Sequence, residues 1–309
     1  MTDVLRRVPG TDVAVHPVAV DGSVFGWASG VEETVRILDA MAGYGGNLVS
    51  TADHYAGGRS EVMIGGWLRS LSDRGRVLIA TKIGRHPDAP GLSARNVVRA
   101  AEASLLRLET DYIDILALDG VDPSTPIDET LEAVDQLRRA GKVRFLSLSG
   151  FPADKVREVS ALATSAVYPP IRLVSVAYSL MQRREFESEL ATVIDELDIG
   201  VVARRPLASG FLSGEFRFKD DVPSSPLFAD ALRHVGKWGS HVLQAVREVA
   251  EQRGDSMSRT ALGWVLSKPG IVAAVVQVRS AEQLLALASP EEVVLTRHQV
   301  SVLDRASQR

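Results

Sequence analysis

Two charged side chains end apolar segments of this sequence, where a charge is costly to bury. Lys82 closes the run VLIATK (77–82), and Asp119 directly follows the run YIDILAL (112–118). A buried ammonium or carboxylate group is expensive unless a partner or a reaction uses its charge. The two residues therefore indicate acid–base chemistry, although Asp119 before Gly120 is also typical of a carboxylate that shapes a turn.

The segments that would position these side chains are short β-branched runs, which predict strands buried on both faces. Seven such runs follow a weaker one at 18–25, and they are Asn47–Thr51, Val77–Lys82, Tyr112–Leu118, Val143–Ser149, Arg172–Val176, Ile199–Ala203 and Val272–Val276. Amphipathic helical stretches separate the runs, so we expect parallel strands. No G-x-G-x-x-G fingerprint follows an early strand, which argues against a doubly wound open sheet.

We therefore predict an α/β protein with one domain over residues 1–309, a (β/α)8 TIM barrel of parallel strands. Barrel enzymes carry their active site at the C-terminal face, where the strands end. Polar residues fall at that position after several of the predicted strands: Ser50, Lys82, Asp119, Ser149, Ser175 and Arg204.

The composition narrows the classes of function. The 309 residues include 35 Lys and Arg against 39 Asp and Glu, a net charge of −4, so no excess of positive charge favours nucleic acid as a partner. The absence of cysteine excludes a disulfide scaffold and cysteine catalysis, and is typical of a cytoplasmic protein. No apolar run reaches the roughly 20 residues of a membrane span. We expect a cytoplasmic protein that acts on a small molecule away from membranes, and the sequence does not indicate its oligomeric state.

Metal binding is not expected either, because the six histidines show no spacing typical of metal ligands. They are His16, His54, His86, His234, His241 and His298.

The stretch TADHYAGGRSE (51–61) resembles a motif of the aldo-keto reductases, N-F-I-D-T-A-x-x-Y-G-x-G-x-S-E. Further similarities follow in the order of that family, at 80–82, 104–114, 141–149, 206–214, 261–266 and 279–283. The resemblance covers nearly the whole chain. It implies a (β/α)8 barrel that reduces aldehydes and ketones with NADPH, using a tetrad of Asp, Tyr, Lys and His.

Position by position, this chain keeps half of that tetrad. Tyr55 matches the general acid of the family, and Lys82 matches the lysine whose ammonium group stabilises the phenolate and so lowers the pKa of the tyrosine. The position of the tetrad aspartate falls on Ser50, and that of the histidine falls on Asp119. The four predicted catalytic residues are therefore Tyr55, Lys82, Asp119 and Ser50.

Two roles are open for Asp119, and they need opposite charge states. As a carboxylate it would neutralise Lys82 from the neighbouring strand, so that the charge lost at Ser50 is relocated. As a protonated acid it would be similar to the glutamic acid that replaces the histidine in family members that reduce steroid double bonds.

The resemblance also implies the cofactor contacts. Those to the nicotinamide carboxamide fall on Ser149, Gly150 and Ser175, and the position of the stacking aromatic residue falls on Arg204, whose planar guanidinium group can also stack on a ring. The remaining predicted contacts are Arg205, Pro206, Leu207, Gly210, Leu212, Gln277, Arg279, Ser280 and Gln283. Arg279 and a helix beginning at the N-cap Ser280 would hold a phosphate, which favours NADPH over NADH.

Three residues are predicted to contact the substrate: Trp27 on the first loop, His54 beside Tyr55, and Phe228. Phe228 belongs to an irregular segment, 215–239, that interrupts the alternation of strands and helices. A loop of that length in a compact domain is typical of a lid, so we expect it to cover the site.

The leading hypothesis is an NADPH-dependent oxidoreductase that transfers hydride to a carbonyl or a conjugated C=C bond, with Tyr55 as proton donor. The altered positions at Gly150 and Ser175 leave two alternatives open. One is a barrel that has lost redox function and uses Tyr55, Lys82 and Asp119 for proton transfer, as an isomerase, dehydratase or lyase. The other is a nucleotide-binding protein without catalysis.

Overall fold

The computed structural model describes residues 5–166, 168–216, 218–222, 228–288 and 294–308. In this part of the chain the strands are β1 (Arg6–Arg7), β2 (Ala14–Val15), β3 (Val18–Asp21), β4 (Leu48–Ala52), β5 (Leu78–Ile83), β6 (Arg85–His86), β7 (Ala89–Pro90), β8 (Ile113–Asp119), β9 (Val143–Ser149), β10 (Ile171–Ala177), β11 (Gly200–Arg204) and β12 (Ile271–Val276).

The helices in the same part are α1 (Val31–Gly43), α2 (Arg59–Leu68), α3 (Ala94–Leu108), α4 (Ile127–Arg139), α5 (Ala153–Ser165), α6 (Ala191–Glu196), α7 (Ala229–Leu232), α8 (Lys237–Arg253), α9 (Met257–Leu266), α10 (Ala281–Leu287) and α11 (Arg297–Ser307).

A closed barrel forms the centre of the fold. Its strands follow each other in the order β3, β4, β5, β8, β9, β10, β11 and β12, all parallel, and β12 pairs with β3 to close the ring. Helices surround it, as the alternating pattern predicts. The predicted (β/α)8 architecture is therefore confirmed.

Two apolar layers hold the barrel together, because strand residues point alternately to the two faces of a sheet. Outward-facing residues such as Ile79 and Leu116 pack with the helices. Inward-facing residues such as Ala19, Leu48 and Ile115 form a second cluster inside the barrel. Every side chain predicted for the C-terminal mouth continues the inward-facing series of its strand, and this alternation aims the polar groups at a common space.

The first barrel strand is shorter than the predicted run 18–25. It ends at Asp21, whose side chain accepts a hydrogen bond from the N–H of Ser23 (3.0 Å) and so caps a 3-10 turn at Gly22–Val24. Asp21 is therefore the last residue of the strand. Its carboxyl group lies at the same end of the barrel as the predicted site.

Two short hairpins were not predicted. β1 and β2 form an antiparallel pair, and Val8, Val13 and Val15 of this hairpin pack into the interior cluster. β6 and β7 form the other pair directly after β5. Neither strand pair exceeds two residues, which is too short for a period-2 pattern to be recognised.

Segment 215–239 falls partly outside the described residues, at 217 and 223–227. Its described part holds a 3-10 turn at Lys219–Asp221, the short helix α7 and the start of α8. The function of this segment as a lid stays a prediction.

A buried carboxylate clamps the N-terminal ends of three barrel strands. Asp114 on β8 accepts hydrogen bonds from the guanidinium groups of Arg74 and Arg144, both at 2.8 Å, and from the N–H of Ile79 (2.9 Å). Its side chain is almost fully buried. Removing the carboxylate charge leaves two partly buried guanidinium groups without their anion.

We expect Asp114→Asn to lower the free energy of unfolding in urea by about 3 kcal/mol, the order of loss measured when one partner of a buried ion pair is removed. The control is Glu102→Gln, which breaks the surface pair with Lys142 and should cost no more than about 1 kcal/mol. Equal losses in the two variants would show that Asp114 is not a clamp.

Candidate active site

Lys82 is the centre of the polar cluster at the barrel mouth. It lies near the end of β5, is 4% exposed, and donates hydrogen bonds to Ser50 Oγ (3.1 Å) and to the carbonyl oxygen of Thr51 (2.8 Å). Both acceptors belong to β4, the adjacent strand. The predicted residues Ser50 and Lys82 are therefore in contact, and a neutral hydroxyl group is what the ammonium group meets at position 50.

Tyr55 lies beside Lys82 but is not hydrogen-bonded to it within the described residues. Lys82 Nζ lies 4.9 Å from the centroid of the Tyr55 ring. A tight turn follows Tyr55, in which Ala56, Gly57 and Gly58 all have positive φ (51°, 65° and 88°). This is the left-handed region that favours glycine, and it directs the chain from the barrel mouth into α2.

A buried carboxylate connects that turn to the strand that carries Lys82. Glu61 in the first turn of α2 is fully buried and accepts hydrogen bonds from Thr81 Oγ1 (2.6 Å) and Arg107 Nε (2.7 Å). Thr81 directly precedes Lys82 on β5. The helix after Tyr55 and the strand of Lys82 are thus tied by one carboxylate.

Asp119 ends β8, as predicted, and its carboxylate contacts groups other than Lys82. It accepts a hydrogen bond from Ser149 Oγ (2.9 Å) and lies 3.5 Å from Arg85 Nε. Among the described residues, no ion pair joins Asp119 to Lys82. Both roles considered for Asp119 stay predictions, and the relocated-charge role has no direct contact behind it.

Sequence reasoning missed Asp21. Its carboxylate is 6% exposed at the end of β3, and the pairing of β3 with β4 places it directly opposite Ser50. The signal was available, because VAVD (18–21) is an apolar run that ends in a charge, as at Lys82. It was hidden because the predicted strand continued to Phe25 and placed Asp21 in its middle.

Burial and nearby charges shift the pKa of both Lys82 and Tyr55. Burial lowers the pKa of Lys82 to about 8, with the charge of Arg204 adding to this, while Asp21, Asp119 and Asp53 raise it. Burial raises the pKa of Tyr55 above its ordinary value, and the charge of Asp21 adds to this increase, whereas Arg204 opposes it. In both cases Asp21 is the strongest of the charged neighbours. Tyr55 therefore holds its proton at neutral pH.

The residues predicted for the nicotinamide lie at the ends of β9, β10 and β11. Ser149 and Ser175 are buried, and Gly150 has a φ of 67° with open space where a Cβ atom would lie. Arg204 Nε is buried and has no hydrogen-bond partner among the described residues. This side of the barrel mouth therefore has open space at Gly150 and a hydrogen-bond donor without a partner among the described residues at Arg204.

A cavity of about 270 Å³ lies between the segments that follow β11 and β12. Five of the predicted cofactor residues line it: Leu207, Gly210, Gln277, Arg279 and Gln283. Phe228, predicted to contact substrate, also lines this cavity, and the Arg279 guanidinium carbon lies 5.2 Å from its ring centroid. Lining residues that sequence reasoning missed include Ser209, Ser213, Phe216, Ser256 and Ser258.

The other predicted cofactor residues do not line this cavity. Arg205 pairs with Asp230, and Pro206 and Leu212 are buried. Ser280 is the N-cap of α10, as predicted, and accepts a hydrogen bond from the N–H of Gln283 (3.3 Å). The Gln283 side chain accepts in return from the N–H of Arg279 (2.8 Å), so the bond holds Arg279 at the entrance to the helix.

The remaining predicted substrate contacts lie near the barrel mouth. His54 precedes Tyr55, and its ring meets the Tyr55 ring edge-on at 4.9 Å between centroids. Its Nδ1 lies 3.3 Å from Asp53 Oδ1. Trp27 is 59% exposed on the loop before α1. A large exposed aromatic ring near the mouth is consistent with a binding surface, and these roles stay predictions.

Comparison with known proteins decides the family. The sequence profile described as "Aldo/keto reductase family" matches residues 22–308. The protein belongs to the aldo-keto reductase family. A relative from Arabidopsis thaliana, named "Probable voltage-gated potassium channel subunit beta", is 29% identical over 80% of this chain and 78% of its own length. A relative of the same name from Oryza sativa subsp. japonica is 27% identical over 84% of this chain and 82% of its own length. The family is one of oxidoreductases.

The described residues contain no group of three or more His, Asp or Glu side chains arranged to hold a metal ion. They also contain no helix that is both long and apolar enough to cross a membrane.

The lowered pKa of Lys82 predicts how stability depends on pH. In the unfolded chain the group keeps its ordinary pKa near 10.5, whereas in the fold the pKa is about 8. Between these values the unfolded chain binds the extra proton, so the free energy of unfolding rises as the pH rises from about 8 to about 10.5.

The measurement is urea unfolding across this pH range for the wild type and for Lys82→Met, which removes the titrating group. We expect the difference between the two to change by about 2–3 kcal/mol in favour of the wild type at high pH. A difference that does not vary with pH would show that Lys82 titrates normally in the fold.

Proposed function

We propose that this aldo-keto reductase family member is an NADPH-dependent oxidoreductase that transfers hydride to a carbonyl or a conjugated C=C bond, with Tyr55 as proton donor. The observation that carries the proposal is the cavity beside the barrel mouth. Five residues predicted for the cofactor line it, and among them Arg279 supplies a cation. A nucleotide seated there would extend from Arg279 towards the ends of β9–β11.

Bound NADPH would supply the hydride, and the residues of this chain would manage the proton and the orientation of the substrate. Tyr55 holds a proton that a strongly basic alkoxide oxygen can take as it forms. Lys82, beside the Tyr55 ring, offers positive charge to the phenolate that remains. The hydroxyl groups of Ser149 and Ser175 and the unsatisfied Arg204 Nε–H would face the nicotinamide.

A proton-transfer reaction without a redox step is the second candidate, and two observations favour it. With a pKa of about 8, Lys82 changes charge near neutral pH, as a general acid or base requires. The side chains at Gly150 and Ser175 are also shorter than those that the family carries at these positions. Small-molecule acid–base catalysis would then occur at the same barrel mouth. A nucleotide-binding protein without catalysis remains the third reading, and turnover would exclude it.

Isothermal titration with NADPH and NADH tests the cofactor. We expect NADPH to bind at least tenfold more tightly, because a charge-assisted contact from Arg279 to the additional phosphate contributes about 1.5–3 kcal/mol. Arg279→Gln should weaken NADPH binding about tenfold and leave NADH binding nearly unchanged. The matched control is Arg233→Gln, a surface arginine that pairs with Asp230 and does not line the cavity. If neither nucleotide binds the wild type, the proposed function is wrong.

Reduction of 4-nitrobenzaldehyde, a general carbonyl probe, tests the proton donor. Tyr55→Phe removes only the phenol oxygen, so we expect kcat to fall by about 100-fold or more while the Kd for NADPH changes less than twofold. If Tyr55→Phe keeps the wild-type kcat, a group other than Tyr55 donates the proton.

A further inference from the structure

We propose that Asp21 provides the carboxylate of the proton-transfer system, in place of the aspartate that is missing at Ser50, from one strand further round the barrel. It acts as a positioning residue, because it stabilises the charge of Lys82 and touches no reacting atom. The kinetic part of the proposal rests on the proposed function. Its structural part, the coupling of Asp21 to Lys82, does not depend on which reaction the protein performs.

Strand register brings the three groups to one face. Asp21 on β3 lies opposite Ser50 on β4, and Ala52, two residues after Ser50, lies opposite Lys82 on β5. Residues that are paired across parallel strands, or that lie two apart on a strand, point to the same side of the sheet. Asp21, Ser50 and Lys82 therefore all point into the barrel mouth.

Ser50 lies between the two charges. Its hydroxyl oxygen accepts the Lys82 ammonium hydrogen bond (3.1 Å), and its strand partner is Asp21. No direct ion pair joins Asp21 to Lys82 in the described residues, so the carboxylate acts through space and through the polar position between them. At low effective dielectric constant such an interaction still stabilises a buried ammonium group.

Hydrogen bonds hold the Asp21 carboxylate in place. One oxygen of Asp21 accepts the N–H of Ser23 (3.0 Å), and the hydroxyl group of Ser23 accepts in turn from Gln277 Nε2 (2.7 Å). This chain of bonds connects the end of the first barrel strand to the segment after the last one. It fixes the carboxylate at the mouth and leaves the second oxygen free of any hydrogen bond to the described residues.

The other charged groups that act on Lys82 are engaged elsewhere, act more weakly or have the wrong sign. Asp119 is paired with Arg85 and hydrogen-bonded to Ser149. One oxygen of Asp53 lies 3.3 Å from His54 Nδ1, and the other has no hydrogen-bond partner among the described residues. Of the three carboxylates, Asp53 raises the pKa of Lys82 least. Arg204 is positive and lowers the pKa of Lys82. Tyr55, the remaining titratable neighbour, keeps its proton and carries no charge at neutral pH. Asp21 is therefore the carboxylate best placed to keep Lys82 protonated.

The decisive measurement is the titration of Lys82 by ¹³C NMR in protein labelled at lysine Cε, without cofactor or substrate. The chain has few lysines, and Lys82→Met assigns the signal. We expect Asp21→Asn to lower the pKa of Lys82 by about one unit, as the removal of a nearby opposite charge does. Asp119→Asn should lower it less. Asp135→Asn, which removes a buried carboxylate on α4, should leave it unchanged.

A double variant moves the carboxylate from β3 to β4. In Asp21→Asn/Ser50→Asp the carboxylate returns to the position of the family aspartate, so we expect the pKa of Lys82 to recover to the wild-type value or above it. If Asp21→Asn does not fold, Asp21→Ser replaces it, because a serine hydroxyl group can accept the same bond from Ser23.

The same variants give a kinetic readout. In NADPH-dependent reduction of 4-nitrobenzaldehyde, Asp21→Asn should lower kcat/KM about tenfold and displace the alkaline limb of its pH profile by the shift measured for Lys82. The double variant should restore both. A folded Asp21 variant with an unchanged Lys82 titration overturns the proposal, as does a larger shift in Asp119→Asn. An NMR shift without any turnover in the wild type would keep the proposal and reject the proposed function.

Discussion

The burial of one ammonium group is the constraint on which the site depends. Lys82 ends an apolar strand and is almost fully buried, so its charged form survives only if the surrounding groups replace the water that it has lost. Two hydrogen bonds to β4 do part of this. Burial still lowers the pKa of Lys82 to about 8, which shows that the replacement is incomplete. Each carboxylate around the barrel mouth therefore affects how much of the lysine is charged at neutral pH.

Barrel geometry explains how a charge can change its place in the sequence and keep its place in space. In a closed parallel sheet, the inward-facing residues at the strand ends surround one mouth. Position 50 on β4 and position 21 on β3 are strand partners, so a side chain on either strand projects into the same region. When the site is compared with the family by sequence position alone, the aspartate is missing at Ser50. When strand register is considered, the carboxylate of Asp21 lies directly opposite that position.

The fold and the site differ in how far the sequence could predict them. Continuous β-branched runs such as 272–276 alternate with amphipathic helical stretches such as 126–140, so the barrel and its order follow from the sequence. The two-residue hairpins were missed because their strands are too short to show a pattern. Lys82 and Asp119 were found because a charge after an apolar run is costly. Asp21 was missed because the end of β3 depends on the cap that Asp21 itself forms with Ser23, and patterns locate element ends poorly.

Contacts are also beyond what residue types can predict. In one of the two roles left open for Asp119, its carboxylate neutralises Lys82 from the neighbouring strand. The carboxylate pairs with Arg85, from a hairpin that the sequence did not reveal. Phe228, predicted to contact substrate, lines the cavity and lies beside Arg279. In both cases an irregular segment supplied the partner. Where such segments meet the barrel, the alternation of strand residues fixes the direction of a side chain, and only the folded loop fixes what it meets.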